Sequence, residues 1–347
     1  MKRESVNPII TPGMVKPSAE GFRVRGAFNP GAIEHDGEIL LLLRVAEDCI
    51  AREGYAAVPA VEISGGIGYP KRFEVRLDDP DVKLKDTRGI VYRDKDYLST
   101  MSHLRLARSR DGVNFTVEYE PFLFPSCPEE MYGVEDARIV RIGDTYYINY
   151  TCVSEDSWGT SLAITKDFKN IERKGMIFHP ENKDVSIFPE KIGGKYCALH
   201  RPNNSGFGRP SIWYAESPDL IHWGNYRCIL RPGDTYWEEM KIGGGAPSIK
   251  TSEGWLQIYH AKGRNQIYSL FALLLDLDEP WKILKQSKEP IMKPEEPCET
   301  DGFFGNVIFT NGIVSGKDGT LLLYYGASDE TVCLARSSVD EVLKSLV

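Results

Sequence analysis

The chain has only six histidines in 347 residues, and none of its seven cysteines falls in a Cys-x-x-Cys pair. Cys49, Cys127, Cys152, Cys197, Cys228, Cys298 and Cys333 are scattered singly, so neither a metal cluster nor a redox dithiol is expected. Their odd number, in a chain long enough to bury its own core, suits a reduced cytoplasmic protein better than a disulfide framework. No apolar run approaches 18 residues, and the opening MKRESVNPII has no apolar stretch. Neither a membrane span nor a signal peptide is therefore expected. Excess positive charge is also missing. Fifty acidic against 42 basic residues leave a net charge of −8, which argues against nucleic acid as a partner. HExxH, Walker A and Rossmann glycine patterns do not occur in their proper context, and the glycine-rich GGIGYP at 65–70 leads into no helix.

The chain does have repetition. Five times a glycine leads into an apolar or aromatic strand: 37–44, 143–151, 194–200, 254–260 and 319–325. Each time a further strand follows, centred on Ala107, Ala163, Ala215, Ala272 or Ala335, and these alanines lie 56, 52, 57 and 63 residues apart. Before each glycine-led strand stands another short strand: 29–35, 135–142, 186–192, 246–251 and 306–314. The intervening turns HDGE, IGDT, IGGK, SEGW and KDGT carry the Gly or Asp-Gly that tight hairpins require. Units of this size, built of short strands, predict an all-β fold, a five-bladed β-propeller forming one domain over residues 1–347. The first unit is interrupted at about 45–97 by a stretch rich in Gly, Pro and charge, which suits a cover over one face or a contact in a homo-oligomer. SSVDEVLKSLV at the end reads as a short closing helix.

A propeller's default site is the mouth of its central channel, lined by the innermost strands. Here those strands begin with polar groups: Asn29, Glu135, Asp136, Arg138 and Asn306, with Lys241 just upstream of the fourth. The next strands end in Arg44, His200 with Arg201, His260, and a run reaching Asp329. Packing or blade-to-blade hydrogen bonds would account for single members of this set more easily than for all of it. Carboxylates are few and cations many. An inverting glycosidase needs two carboxylates about 6.5–9.5 Å apart, one of them to activate water. One acid among Arg, Lys and His instead suits an anion such as phosphate, itself a nucleophile, and points to phosphorolysis of a glycosidic bond. Tyr132, Trp237 and Phe303–Phe304 sit beside these groups and could pack on sugar faces, although each taken singly suits a core better.

These residues bring out a likeness. AFNPGAI, RVAED, YGVEDARI, ENKDVSIFPEKIGGKYCALHRP, SIWYAESPDLIHWG, KIGGGAP, IYHA and YYGASD resemble, over essentially the whole chain, the β-mannoside phosphorylases of glycoside hydrolase family 130. The resemblance implies a five-bladed propeller and a reversible, inverting phosphorolysis that releases α-mannose 1-phosphate. It implies Asp136 as the general acid, its proton reaching the glycosidic oxygen through the mannose 3-hydroxyl. Arg201, Lys241 and His260, with Lys183 in addition, would bind phosphate, and Asn29, Arg44 and Asp329 would hold mannose. Tyr132, Glu135, Arg138, His200 and Asn306 complete the expected substrate-binding set. No cofactor or metal is implied, phosphate being a co-substrate. The family usually has Pro after the catalytic Asp, where this chain has Ala137. Its hydrolytic members lack the basic cluster. The wording of the chain is closer to the β-1,2 group than to the β-1,4 group acting on mannosyl-glucose, mannosyl-N-acetylglucosamine or mannooligosaccharides. A β-mannosidase and a non-catalytic sugar-binding propeller remain as alternatives.

Overall fold

The computed structural model describes residues 1–85, 89–203 and 206–347. The chain is all-β. Its helices are single turns at Pro12–Met14, Pro128–Glu130 and Pro297–Thr300, and the short C-terminal helix Val339–Lys344. That last helix starts where the sequence places it, with Ser338 and Glu341 forming a reciprocal capping box. Among the described residues no helix is long and apolar enough to cross a membrane.

Antiparallel meanders follow one another along the chain. Asn182–Ile187, Tyr196–Pro202, Ile212–Ser217 and Gly224–Leu230 form one sheet. Lys241–Gly244, Trp255–Lys262, Tyr268–Leu275 and Ile283–Gln286 form another, with Ile249–Lys250 beside it. Ile308–Ser315, Thr320–Ala327 and Thr331–Ser338 form a third, to which Lys2–Arg3 from the far end of the chain adds a strand. The first two units do not form separate sheets. Phe22–His35, Glu38–Cys49 and Met101–Ser109 are joined to Gly133–Ile142, Thr145–Val153, Trp158–Thr165 and Glu172–Phe178 by one parallel pair, Gly133 with Ser102. Gly133 sits at φ 136°, and a Cβ there would lie 2.7 Å from the Ser102 nitrogen. Only glycine permits this approach.

The five repeat alanines are all fully buried, and each pairs with a core residue of the preceding strand: Leu41, Ile148, Ala198, Ile258 and Leu323. A small side chain at the same register lets the neighbouring sheet pack close. The Asp turns repeat too. Asp111, Asp167, Asp219 and Asp276 each accept hydrogen bonds from the backbone N–H groups two and three residues on, at 2.8–3.0 Å.

Some strand limits differ from expectation. The third inner strand is Asn182–Ile187 rather than 186–192, because Pro189 ends it early and the pairing extends upstream instead. The fourth breaks at Pro247, so Lys241 lies within a strand rather than before one. The fifth begins at Ile308, leaving Asn306 on an exposed loop. Strand Glu38–Cys49 runs past Val45, and the interrupting segment folds into a hairpin, Tyr55–Ser64 with Ile67–Arg76, and a small sheet of Val82–Leu84, Gly89–Tyr92 and Lys95–Leu98.

Candidate active site

The innermost strands carry β-bulges at matching places. Register shifts fall between Phe28 and Gly31, Glu135 and Arg138, and Lys183 and Ser186. Each bulge holds one polar residue in the left-handed region: Asn29 at φ 45°, Asp136 at 51° and Asp184 at 55°. Bulges re-aim a side chain, and left-handed backbone outside glycine costs of order 1–3 kcal/mol, least for Asn and Asp. Three such positions aimed at one place mark a site that the rest of the fold must hold in shape.

That place is a cavity of about 360 Å³, a size suited to a small ligand. Asn29, Arg44, Asp136, Lys183, Arg201, Lys241, His260 and Asp329, all picked out from sequence, line it together. Asn29 Nδ2 and Arg44 Nη1 donate to Asp136 Oδ1 at 3.1 and 3.3 Å. Arg44 Nη2 also donates to Glu135 Oε1 at 2.8 Å, and Lys183 Nζ lies 3.6 Å from Glu135 Oε2. A larger open groove of about 820 Å³ lies elsewhere, and several of its charges pair with one another, Arg108 with Glu118 and Lys166 with Asp144.

Five expected site residues are not part of the lining, Glu135 among them, which touches it only through Arg44 and Lys183. Arg138 is buried beside the cavity, donating to the carbonyls of Gly244, Gly245 and Asp136 and to Asp184, and so ties successive inner strands together. His200 and Arg201 are neighbours in a strand and must face opposite sides. Arg201 faces the cavity; His200 stacks on Phe178 at 4.7 Å, bonds Asn182 at 2.9 Å, and is pushed down to about 3 by burial. The Tyr132 hydroxyl donates to the Asp96 carbonyl of the inserted segment, and burial pushes it up to about 12. Asn306 is a loop anchor, donating its N–H to the Thr300 carbonyl and accepting from the Tyr268 N–H. Of the aromatic candidates, Phe304 lines the cavity, whereas Trp237 packs with the core around Phe188 and Trp255.

The sequence reading missed Asp184, Lys262, Gln266, Tyr268 and Phe309, which also line the cavity. Asp184 is the most consequential. Its Oδ2 lies 2.9 Å from Arg201 Nη1 and 3.3 Å from His260 Nε2. Burial alone would raise its carboxyl, but Arg201, His260 and Arg138 hold it well below the usual carboxylate range. Asp329 behaves oppositely. Burial pushes it up to about 6, with Arg44 pulling the other way and Asp136 adding to the rise. Lys241 is pushed down to about 7 by burial and by the like charge of Arg201, and its ammonium lies 5.0 Å from the Tyr268 ring centre. Burial likewise takes His260 down to about 4, against the pull of Asp184.

Asp136, held by Asn29 and Arg44, shares one small cavity with Lys183, Arg201, Lys241 and His260, which fits a neutral sugar met by an anion. The family model described as beta-1,4-mannooligosaccharide phosphorylase, that of glycoside hydrolase family 130, matches residues 41–347. The chain belongs to glycoside hydrolase family 130. This family 130 chain is 44% identical to a beta-1,2-mannobiose phosphorylase of Listeria innocua, over 99% of its own length and 98% of the relative's. It is 40% identical to a 1,2-beta-oligomannan phosphorylase of Thermoanaerobacter sp., over 71% of its length and 84% of the relative's. The solved structure of the beta-1,2-mannobiose phosphorylase from Listeria innocua, in complex with beta-1,2-mannobiose, superposes with a TM-score of 0.92 at 42% identity, covering 99% of this chain and 98% of that one.

Proposed function

We propose that this chain phosphorolyses β-1,2-linked mannobiose or short β-1,2-mannooligosaccharides with inversion, giving α-mannose 1-phosphate and the shortened sugar. The observation that carries this reading is that Arg201, Lys241 and His260, with Lys183, line the same cavity as Asp136. Phosphate attacks the mannose anomeric carbon, the glycosidic bond breaks, and a proton from Asp136 reaches the leaving oxygen through the mannose 3-hydroxyl. Asn29, Arg44 and Asp329 hold the mannose ring. A water-activating base would need a carboxylate basic enough to accept a proton near neutral pH. Of the other carboxylates lining the cavity, Asp184 is held too acidic for that task and Asp329, pushed up to about 6, is not, so the reading rests on the basic cluster rather than on the lack of a base. The β-1,2 linkage is supported by the names of the two relatives above. We further take the meanders to be five blades of a single propeller over residues 1–347, with the cavity at one mouth of its channel. The seven free cysteines suit work in the cytoplasm, and no cofactor enters the proposed step.

The test is an assay with β-1,2- and β-1,4-mannobiose, with and without phosphate, following mannose 1-phosphate and free mannose. The expected result is phosphate-dependent cleavage of the β-1,2 disaccharide. Preference for the β-1,4 sugar would overturn the linkage, and equal cleavage without phosphate would overturn the reaction.

A pH dependence follows from Lys241. A lysine is charged below its pKa, and this one titrates near 7. Between about pH 7.5 and 9 phosphate is already a dianion, whereas the free enzyme loses the Lys241 charge. The KM for phosphate should therefore rise across this window, approaching tenfold per unit. In Lys241→Arg, whose guanidinium stays charged, the rise should vanish. Steady-state KM measured against pH for both enzymes checks this.

A further inference from the structure

We infer that Asp184 is the positioning residue of the anion site, holding Arg201 and His260 so that both present their remaining ring and guanidinium nitrogens to phosphate. This rests on the phosphorylase reading and adds a residue to it. The groups facing Asp184 are all cations or potential cations. Arg138 Nη2 meets Oδ1 at 3.3 Å, while Arg201 Nη1 and His260 Nε2 meet Oδ2 at 2.9 and 3.3 Å. Arg201 Nε and both ring nitrogens of His260 are buried and have no hydrogen-bond partner among the described residues, Nε2 meeting Asp184 Oδ2 only as that 3.3 Å contact. Buried polar atoms without partners are rare in native proteins and point to a ligand.

The neighbouring strand has been cleared to make this arrangement. Gly243 pairs with His260, and a Cβ at Gly243 would lie 2.3 Å from Asp184 Oδ2 and 2.6 Å from His260 Cε1. At Gly244 a Cβ would lie 2.9 Å from the Asp184 carbonyl. The glycines of KIGGG therefore leave room for a carboxylate–imidazole contact beside Lys241. With a carboxylate facing Nε2, the neutral imidazole carries its proton there, and Nδ1 is left to accept from a hydrogen phosphate or, once protonated, to donate to the dianion. A carboxylate oriented behind a ligand-binding histidine is a familiar way to set its tautomer and ring angle.

Charge counting and positioning make opposite predictions. Removing a negative charge beside cations should, by charge alone, tighten phosphate. If Asp184 positions the cations, Asp184→Asn should instead raise the KM for phosphate at least about tenfold, as expected when charge-assisted contacts are lost. The affinity for mannobiose without phosphate, read by calorimetry, should change little. Gly243→Ala should reproduce the effect, because its Cβ displaces the same pair. Wild-type protein supplies a readout that does not pass through kinetics. Its histidine ring resonances, with His260 assigned by comparison with His260→Gln, should show the Nε2–H tautomer, shifting on addition of inorganic phosphate. An Nδ1–H tautomer, or an Asp184→Asn enzyme with an unchanged or lower phosphate KM, overturns the inference alone. A wild-type enzyme that makes no mannose 1-phosphate overturns the phosphorylase reading and this inference with it.

Discussion

Asp136→Asn is expected to lower turnover of β-1,2-mannobiose by about two to four orders of magnitude, the usual contribution of a positioned general acid. The substitution is nearly isosteric. Asn29 Nδ2 and Arg44 Nη1 both donate to Oδ1, which an amide oxygen can replace, so the cavity should keep its shape and disaccharide affinity should change little. What the amide cannot supply is the proton for the leaving oxygen. A second measurement isolates that role. A β-mannoside whose leaving group is an acidic phenol departs without protonation, so Asp136→Asn should cleave it almost as fast as the wild type. Near-normal turnover of mannobiose by the purified variant would remove Asp136 from the mechanism. An equal loss on the phenolic substrate would make its role one of binding rather than proton donation.

Arg201→Ala is expected to raise the KM for phosphate by one to two decades while leaving mannobiose binding nearly unchanged. The guanidinium is buried and lies 2.9 Å from Asp184, so its charge is poorly screened. A charge-assisted hydrogen bond to phosphate contributes about 1.5–3 kcal/mol, which converts to that range. Truncation also removes the closest partner of a buried carboxylate, so some loss of thermal stability should accompany the kinetic effect. Arg201→Lys keeps the charge without the planar fork, and should fall between the two. A neutral disaccharide has no need of such a cluster in a chain of net charge −8. Initial rates at varied phosphate and varied mannobiose separate the two effects. If the disaccharide KM rose as much as the phosphate KM, the basic cluster would belong to the sugar site.

The sequence by itself determined the repeat, the all-β class and most of the cavity. Repetition was legible because each unit needs the same small buried residue at the same register and the same Asp turn, as at Ala163 and Asp167. Asn29, Arg44, Asp136, Arg201, Lys241, His260 and Asp329 stood out because polar side chains recurred at strand ends that should have been apolar. Which face each one takes was decided elsewhere. A bulge resets the alternation of a strand, so Asp136 reaches the cavity while Arg138, two residues on, turns under it to bond the carbonyls of Gly244 and Gly245. His200 and Arg201 were read together although a strand must part them. Asp184 was passed over because its strand extends upstream of the limit that the local pattern suggested. The charge states belong wholly to the tertiary structure. Lys241 near 7 and Asp329 near 6 arise from burial and from charges on other strands, such as Arg201 for the lysine and Arg44 for the carboxyl. Electrostatic energy depends on distance and surrounding dielectric through space, and neither is set until strands far apart in the chain have packed around one cavity.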